Sequence, residues 1–144
     1  MVPRLTLTLL AFCASVSLSL AAPSNGRTGT SGNYDKPQAP AVVQKTITVE
    51  VMTPDGAWEV RIDEIRRVQE ELWVFAKVSR PKDAIGAMMV SAASDQLSGR
   101  FPDLPIKTFV EGKTWTWKNE EAVTWLTNAA AAERRRLGQR LWRR

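Results

Sequence analysis

From residue 42 onward, apolar and polar side chains alternate. Val43, Ile47, Val49 and Val51 interleave with Gln44, Thr46, Thr48 and Glu50, a period of two that predicts a half-buried strand. Lys45 interrupts the apolar set near its start, which suits a sheet edge. Thr53-Pro54-Asp55-Gly56 has turn chemistry, with proline at the second position and glycine at the fourth. Trp58, Val60 and Ile62 then share one face and Glu59, Arg61 and Asp63 the other, so the two strands predict a hairpin. Ile65 and Val68 continue the apolar pattern in a shifted phase, which a bulge or short irregular turn would absorb. Residues 72–78, LWVFAKV, are apolar on both sides, with Leu72, Val74, Ala76 and Val78 on one and Trp73 and Phe75 on the other. Such a strand is central in its sheet or covered on its second face. Arg80-Pro81 ends it.

Beyond Pro81 the pattern weakens. Residues 84–97, AIGAMMVSAASDQL, favour a strand at 87–92 with a bend at Gly86 and a short extended piece near 95–97; a helix is the competing reading. Residues 101–105, FPDLP, form a rigid non-helical connection. A strand over 106–110 and a turn at Glu111-Gly112 follow. Residues 113–118 alternate again, which predicts a second hairpin with Trp115 and Trp117 on the same face. Residues 123–126 read as extended. Asn128 then caps a helix that begins in the alanine run 129–132 and extends to about Trp142, weakened by Gly138. Leu137 and Leu141, four apart, fall on one face of it. No internal repeat or heptad run is present. The fold class is mainly β, a small antiparallel sandwich or partly open barrel over residues 42–127, with a basic helical tail over 128–144.

The N-terminus changes the picture of where this domain works. Arg4 gives a positive start, residues 5–20 are mostly apolar, and Ser19-Leu20-Ala21 supplies small residues for cleavage. This is the layout of a signal peptide cut near Ala21, and it predicts a secreted or periplasmic protein. A retained anchor is the alternative, but the run is short against the roughly 20 strongly apolar residues of a span. Bulky Phe12 before Cys13 argues against lipidation at that cysteine. Residues 22–41 are rich in Gly, Ser, Pro and Thr and read as a disordered linker.

Charge is lopsided. Six arginines fall in residues 134–144 with no acid among them, and Arg4 lies in the leader; the other 13 of the 20 basic residues face 15 acidic ones in residues 22–133. The body is therefore near neutral and the tail strongly basic. The sequence has no histidine, and its one cysteine lies in the leader. The mature chain thus has no thiol nucleophile, no Ser-His-Asp triad, no disulfide and no zinc site of Cys and His.

Three motifs suggest chemistry and fail on context. Gly112-Lys113-Thr114 ends like a phosphate-binding loop, but the position five before Gly112 is Lys107, and a strand pattern follows in place of a helix. Ser79-Arg80-Pro81-Lys82 has the S-x-x-K spacing of serine acyl-enzymes, yet Pro81 denies it the helix that would bring Ser79 and Lys82 together. The pairs Glu70-Glu71 and Glu120-Glu121 are adjacent, so in a strand they would point oppositely; both read as solvated turn residues. No acidic loop with calcium-binding spacing is present.

Aromatic and basic residues remain as candidates. Trp58, Trp73, Trp115, Trp117, Trp125 and Trp142 are many for one small domain, and core packing is the plainer explanation for most. Trp73 and Phe75 are the expected exposed platform, because only one face of their strand can enter a two-layer core; Trp115 and Trp117 form a second candidate pair. In the tail, Arg134, Arg135, Arg136, Arg140, Arg143 and Arg144, with Leu137, Leu141 and Trp142, suit an anionic membrane surface or a helix docked on the domain. The expected function is an exported, non-enzymatic binding module without cofactor or metal, whose partner is a protein or an anionic membrane surface and not nucleic acid. The alternatives are an envelope-associated accessory protein that docks through the tail and a small inhibitor or subunit presenting a rigid tip to an enzyme.

Overall fold

The computed structural model describes residues 38–144. The expected signal peptide and residues 22–37 of the expected linker lie outside the described residues. The elements run β1 (Val42–Thr53), β2 (Glu59–Val68), β3 (Glu71–Ser79), β4 (Ser91–Pro102), β5 (Ile106–Glu111), β6 (Thr124–Leu126), α1 (Asn128–Arg134) and β7 (Gln139–Arg143). β1 and β4 pair as a two-stranded antiparallel sheet, and the other five form a second sheet in the order β6-β5-β3-β2-β7. The arrangement is an open sandwich and not a closed barrel.

The alternation in the first three strands does what its period requires, but β1 and β2 do not form the expected hairpin: the turn at residues 53–56 carries the chain from one sheet to the other. Ile47, Val49 and Val51 of β1 meet Val60, Ile62, Ile65, Leu72, Val74, Ala76 and Val78 of β2 and β3 in one core. The phase shift in β2 is a bulge: the register with β3 slips between Ile62 and Glu64. That extra residue returns Ile65 to the buried side. β3 lies at the centre of its sheet.

Four further expectations are corrected. β4 is one uninterrupted strand from Ser91 to Pro102, with residues 84–90 a loop before it. Its inward positions are Ala93, Asp95, Leu97, Gly99 and Phe101, and the small or polar residues at 93, 95 and 99 leave no continuous apolar face to read. Next, the sheet is not all antiparallel, since β5 runs parallel to β3 and β6 parallel to β5. β4 crosses to the other layer, so the chain re-enters beside β3 in the same direction. Third, residues 113–118 form no strand, and Gly112 is not a hairpin turn. Gly112 has φ +96°, and a Cβ there would run into the Val78 carbonyl oxygen at the end of β3.

The largest correction concerns the tail. α1 stops at Arg134, and its N-cap is Thr127, whose Oγ1 accepts the Ala130 N–H at 3.3 Å. The chain then turns at Gly138, in the left-handed region at φ +65°. Residues 139–143 add to β2 as antiparallel β7. Arg66 secures the corner, donating from Nε to the Leu137 carbonyl at 2.7 Å and from its guanidinium to that of Gly138 at 3.0 Å. Leu141 and Trp142 pack against the core, while Leu137 is exposed.

Candidate functional site

Most of the expected platform at Trp73 and Phe75 is roofed over. Phe75 is 1% exposed and stacks on Phe109 at 5.3 Å between ring centroids. Trp73 packs edge-on to both rings and donates its indole N–H to Glu71 at 2.7 Å. This outer side of β3 and β5 is also covered by cations: the Arg134 guanidinium lies 4.8 Å from the Phe109 ring, and that of Arg135 lies 5.2 Å from Phe75. α1 adds Ala131, which is buried.

The arginines divide into structural and free. Arg135 reaches Glu111 at 3.0 Å, Asp63 at 3.7 Å and Glu64 at 3.8 Å. Glu64 and Glu111 are buried, and Glu64 also pairs with Arg66 at 2.5 Å. Buried carboxylates of this kind are tolerable only when paired. Burial pushes the Asp63 carboxyl above its ordinary range, with help from the Glu111 charge and against the pull of Arg135. Arg144 ties the chain's last residue to Asp95 of β4 at 3.2 Å, and Asp95 also accepts the Ile62 N–H. Of the six arginines in the tail, Arg136, Arg140 and Arg143 are exposed and outside every ion pair among the described residues. Among the described residues no helix is long and apolar enough to cross a membrane.

Trp115 and Trp117 do come together. They stack at 5.5 Å, and Trp58 and Trp125, which were not singled out as candidates, meet Trp115 edge-on at 5.2 and 5.6 Å. Lys113 lies 5.2–5.7 Å from the rings of Trp115, Trp117 and Trp125 and donates to the Trp117 carbonyl at 2.6 Å. An open groove of about 530 Å³ runs beside this cluster, lined by Lys113, Lys118, Asn119, Glu121 and Trp125 among others. Glu121 is not a free turn residue. Its Oε1 accepts the Met52 N–H, while Asn119 donates to the Met52 carbonyl at 2.9 Å. Burial opposes its ionisation, but the N–H groups of Met52 and Glu121, the Asn119 amide and Lys113 outweigh that and hold the carboxyl below its usual range. The other Glu121 oxygen and the Trp125 indole N–H are buried without a partner among the described residues.

The loop of residues 84–90 is at the same end of the sandwich, where β1, β3 and β5 finish and β2 and β4 begin. Its side chains point outward: Ile85 and Met88 are 100% exposed, Met89 65% and Val90 55%. Its backbone is nevertheless pinned. Ala87 accepts N–H groups from Gly56 and Met89, and Ser91 Oγ donates to the Met89 carbonyl. Gly86 lies so close to Ala57 that a Cβ would strike the Ala57 backbone. Ser79 ends β3 and residues 80–82 lie outside any helix, so Ser79 and Lys82 lack the shared helical face of an acyl-enzyme pair.

Comparison with known proteins finds no matching family model, no matching curated protein and no matching solved structure.

Proposed function

We propose that this protein is an exported, non-enzymatic binding module whose working surface is the end of the sandwich carrying the 84–90 loop and the tryptophan groove. The partner class is a protein. The observation that carries this reading is the loop itself, with Ile85 and Met88 wholly in water on a backbone held in place from Gly56 to Ser91. Clustered exposed apolar side chains mark an interaction surface, and a loop fixed before binding loses little freedom on docking. Met and Trp are residue types enriched in protein interfaces, and Met88, Met89 and Trp117 supply them here. Basic groups at this end (Arg80, Lys82, Lys113, Lys118) are offset by acidic ones (Asp55, Glu59, Asp83, Glu120, Glu121). That balance supports contact-driven binding over attraction to an anionic surface.

A second reading rests on Arg136, Arg140 and Arg143, which are free for electrostatic docking to an anionic membrane. Capture from the native exported fraction separates the two. The Ile85→Ser/Met88→Ser variant is expected to lose its partner, while a variant with serine at 136, 140 and 143 keeps it at moderate salt. Loss with the arginine variant alone, or on adding salt, would transfer the function to the tail.

A further inference from the structure

The outer edge of β1 is closed at Met52 and open before it. β1 pairs on one side only, with β4, in unbroken register from Val42↔Pro102 to Thr53↔Ser91. In an antiparallel strand the N–H and C=O of alternate residues point to opposite lateral sides. The Met52 N–H and C=O point away from β4, because Glu121 and Asn119 satisfy them. Residues of the same parity, Val42, Gln44, Thr46, Thr48 and Glu50, therefore turn their main-chain groups to the same free edge. None of these main-chain groups has a hydrogen-bond partner among the described residues; the Ala41 carbonyl, of the other parity, accepts the Asp103 N–H at 2.8 Å on the β4 side.

Natural edges are guarded by proline, a bulge, an inward charge or a cover. Residues 44–50 contain no proline and no bulge, and Lys45 is drawn aside to Asp103 at 3.0 Å. A sheet of two strands is also the least that can stand as a layer. Opposite it lie five.

We propose that this edge is completed by a second copy of the same chain, β1 pairing antiparallel with β1 about a two-fold axis at Thr46 to give a continuous β4-β1-β1-β4 sheet. That register places Val42 opposite Glu50 of the other copy, Gln44 opposite Thr48, and Thr46 opposite its own counterpart. All five open residues meet open residues, and the five pairs exchange two bonds each. No like charges meet, and the two Thr46 side chains form a favourable cross-strand pair. Because the axis is perpendicular to the sheet, Ile47, Val49 and Val51 of both copies stay on the core side. Shifting the axis to Ile47 would carry Val42 onto Met52, where Asn119 and Glu121 already occupy the edge. This surface is separate from the 84–90 loop, so the proposal stands independently of the function above.

Sedimentation velocity on the full mature protein over a concentration series tests it. The expected result is a reversible monomer–dimer equilibrium. Thr46 and Thr48 point into solvent, so Thr46→Lys/Thr48→Lys and Thr46→Glu/Thr48→Glu leave the core untouched, which an unchanged thermal melt would verify. Each variant alone is expected to be monomeric, since like charges oppose each other across the axis, and an equal mixture is expected to dimerise again. A wild-type chain that stays monomeric throughout, or a lysine variant that still dimerises, would overturn the proposal. A mixture that fails to associate would overturn the register and with it the axis at Thr46.

Discussion

Replacing Gly138 with alanine has opposite consequences in the two conformations open to the tail. In a continuous helix from 128 to 142, glycine is the weak point, and Gly138→Ala would stabilise by about 0.5–1 kcal/mol. In the structure Gly138 is instead the corner between α1 and β7, at φ +65°. Alanine there costs about 1–2 kcal/mol for the left-handed conformation alone. Its Cβ would also meet Val68 Cγ2 at 2.8 Å, the Arg67 carbonyl carbon at 3.0 Å and, closer still, the Arg67 oxygen. Relief requires moving β7 off β2, where it is held through only four register pairs. That would loosen Leu141 and Trp142 from the core and the Arg66 bonds to Leu137 and Gly138. Together these set the expected loss at about 2–3 kcal/mol, the range of a mutation with a named backbone mechanism. Urea unfolding followed by tryptophan fluorescence measures it as a lower midpoint. Gly138→Asn should fall between wild type and alanine, since asparagine tolerates the left-handed region but still carries a Cβ. A Gly138→Ala protein as stable as wild type, or more so, would refute the reasoning.

Two further outcomes follow from side-chain environments. Phe75→Ala should destabilise by about 3–5 kcal/mol, the cost of emptying an aromatic site, because Phe75 is 1% exposed between Phe109 and Arg135; a change below 1 kcal/mol in chemical denaturation would mean that the α1 roof is absent. Glu121 has a folded pKa below its unfolded value, so its charge contributes stability above the unfolded pKa that disappears as pH falls through the folded one. Glu121→Gln should therefore flatten the acid limb of a stability-versus-pH curve below about pH 4.5, and an unchanged limb would contradict the Met52 cap.

How much of this was legible in the sequence depended on how local the physics was. β1, β2 and β3 could be read because their own alternation fixes which side chains are buried, and the bulge showed as a phase error before Ile65. The direction of β5 could not be read, because a period of two is the same in parallel and antiparallel strands; it is decided by β4 crossing to the other layer. β4 itself was obscured by Ala93, Gly99 and the inward Asp95, whose charge is answered by Arg144 nearly fifty residues on. In the tail, Leu137 and Leu141 have helical spacing by coincidence, and Gly138 was the overlooked signal. Phe75 seemed free because its roof, α1 and two arginines, comes from the other end of the chain. Trp115 and Trp117 were found as a pair from sequence, whereas Trp58 and Trp125 join them only through tertiary structure.

The central claim is that the basic tail is part of the sheet, and the surface proposed for binding lies at the opposite end of the sandwich. Amide hydrogen exchange resolved by residue tests it most directly. In β7, alternate amides of residues 139–143 should exchange slowly, on the scale of their β2 partners, while those of residues 84–90 exchange faster. Uniformly fast exchange across 135–144, or the protection of a continuous helix through Gly138, would contradict the account.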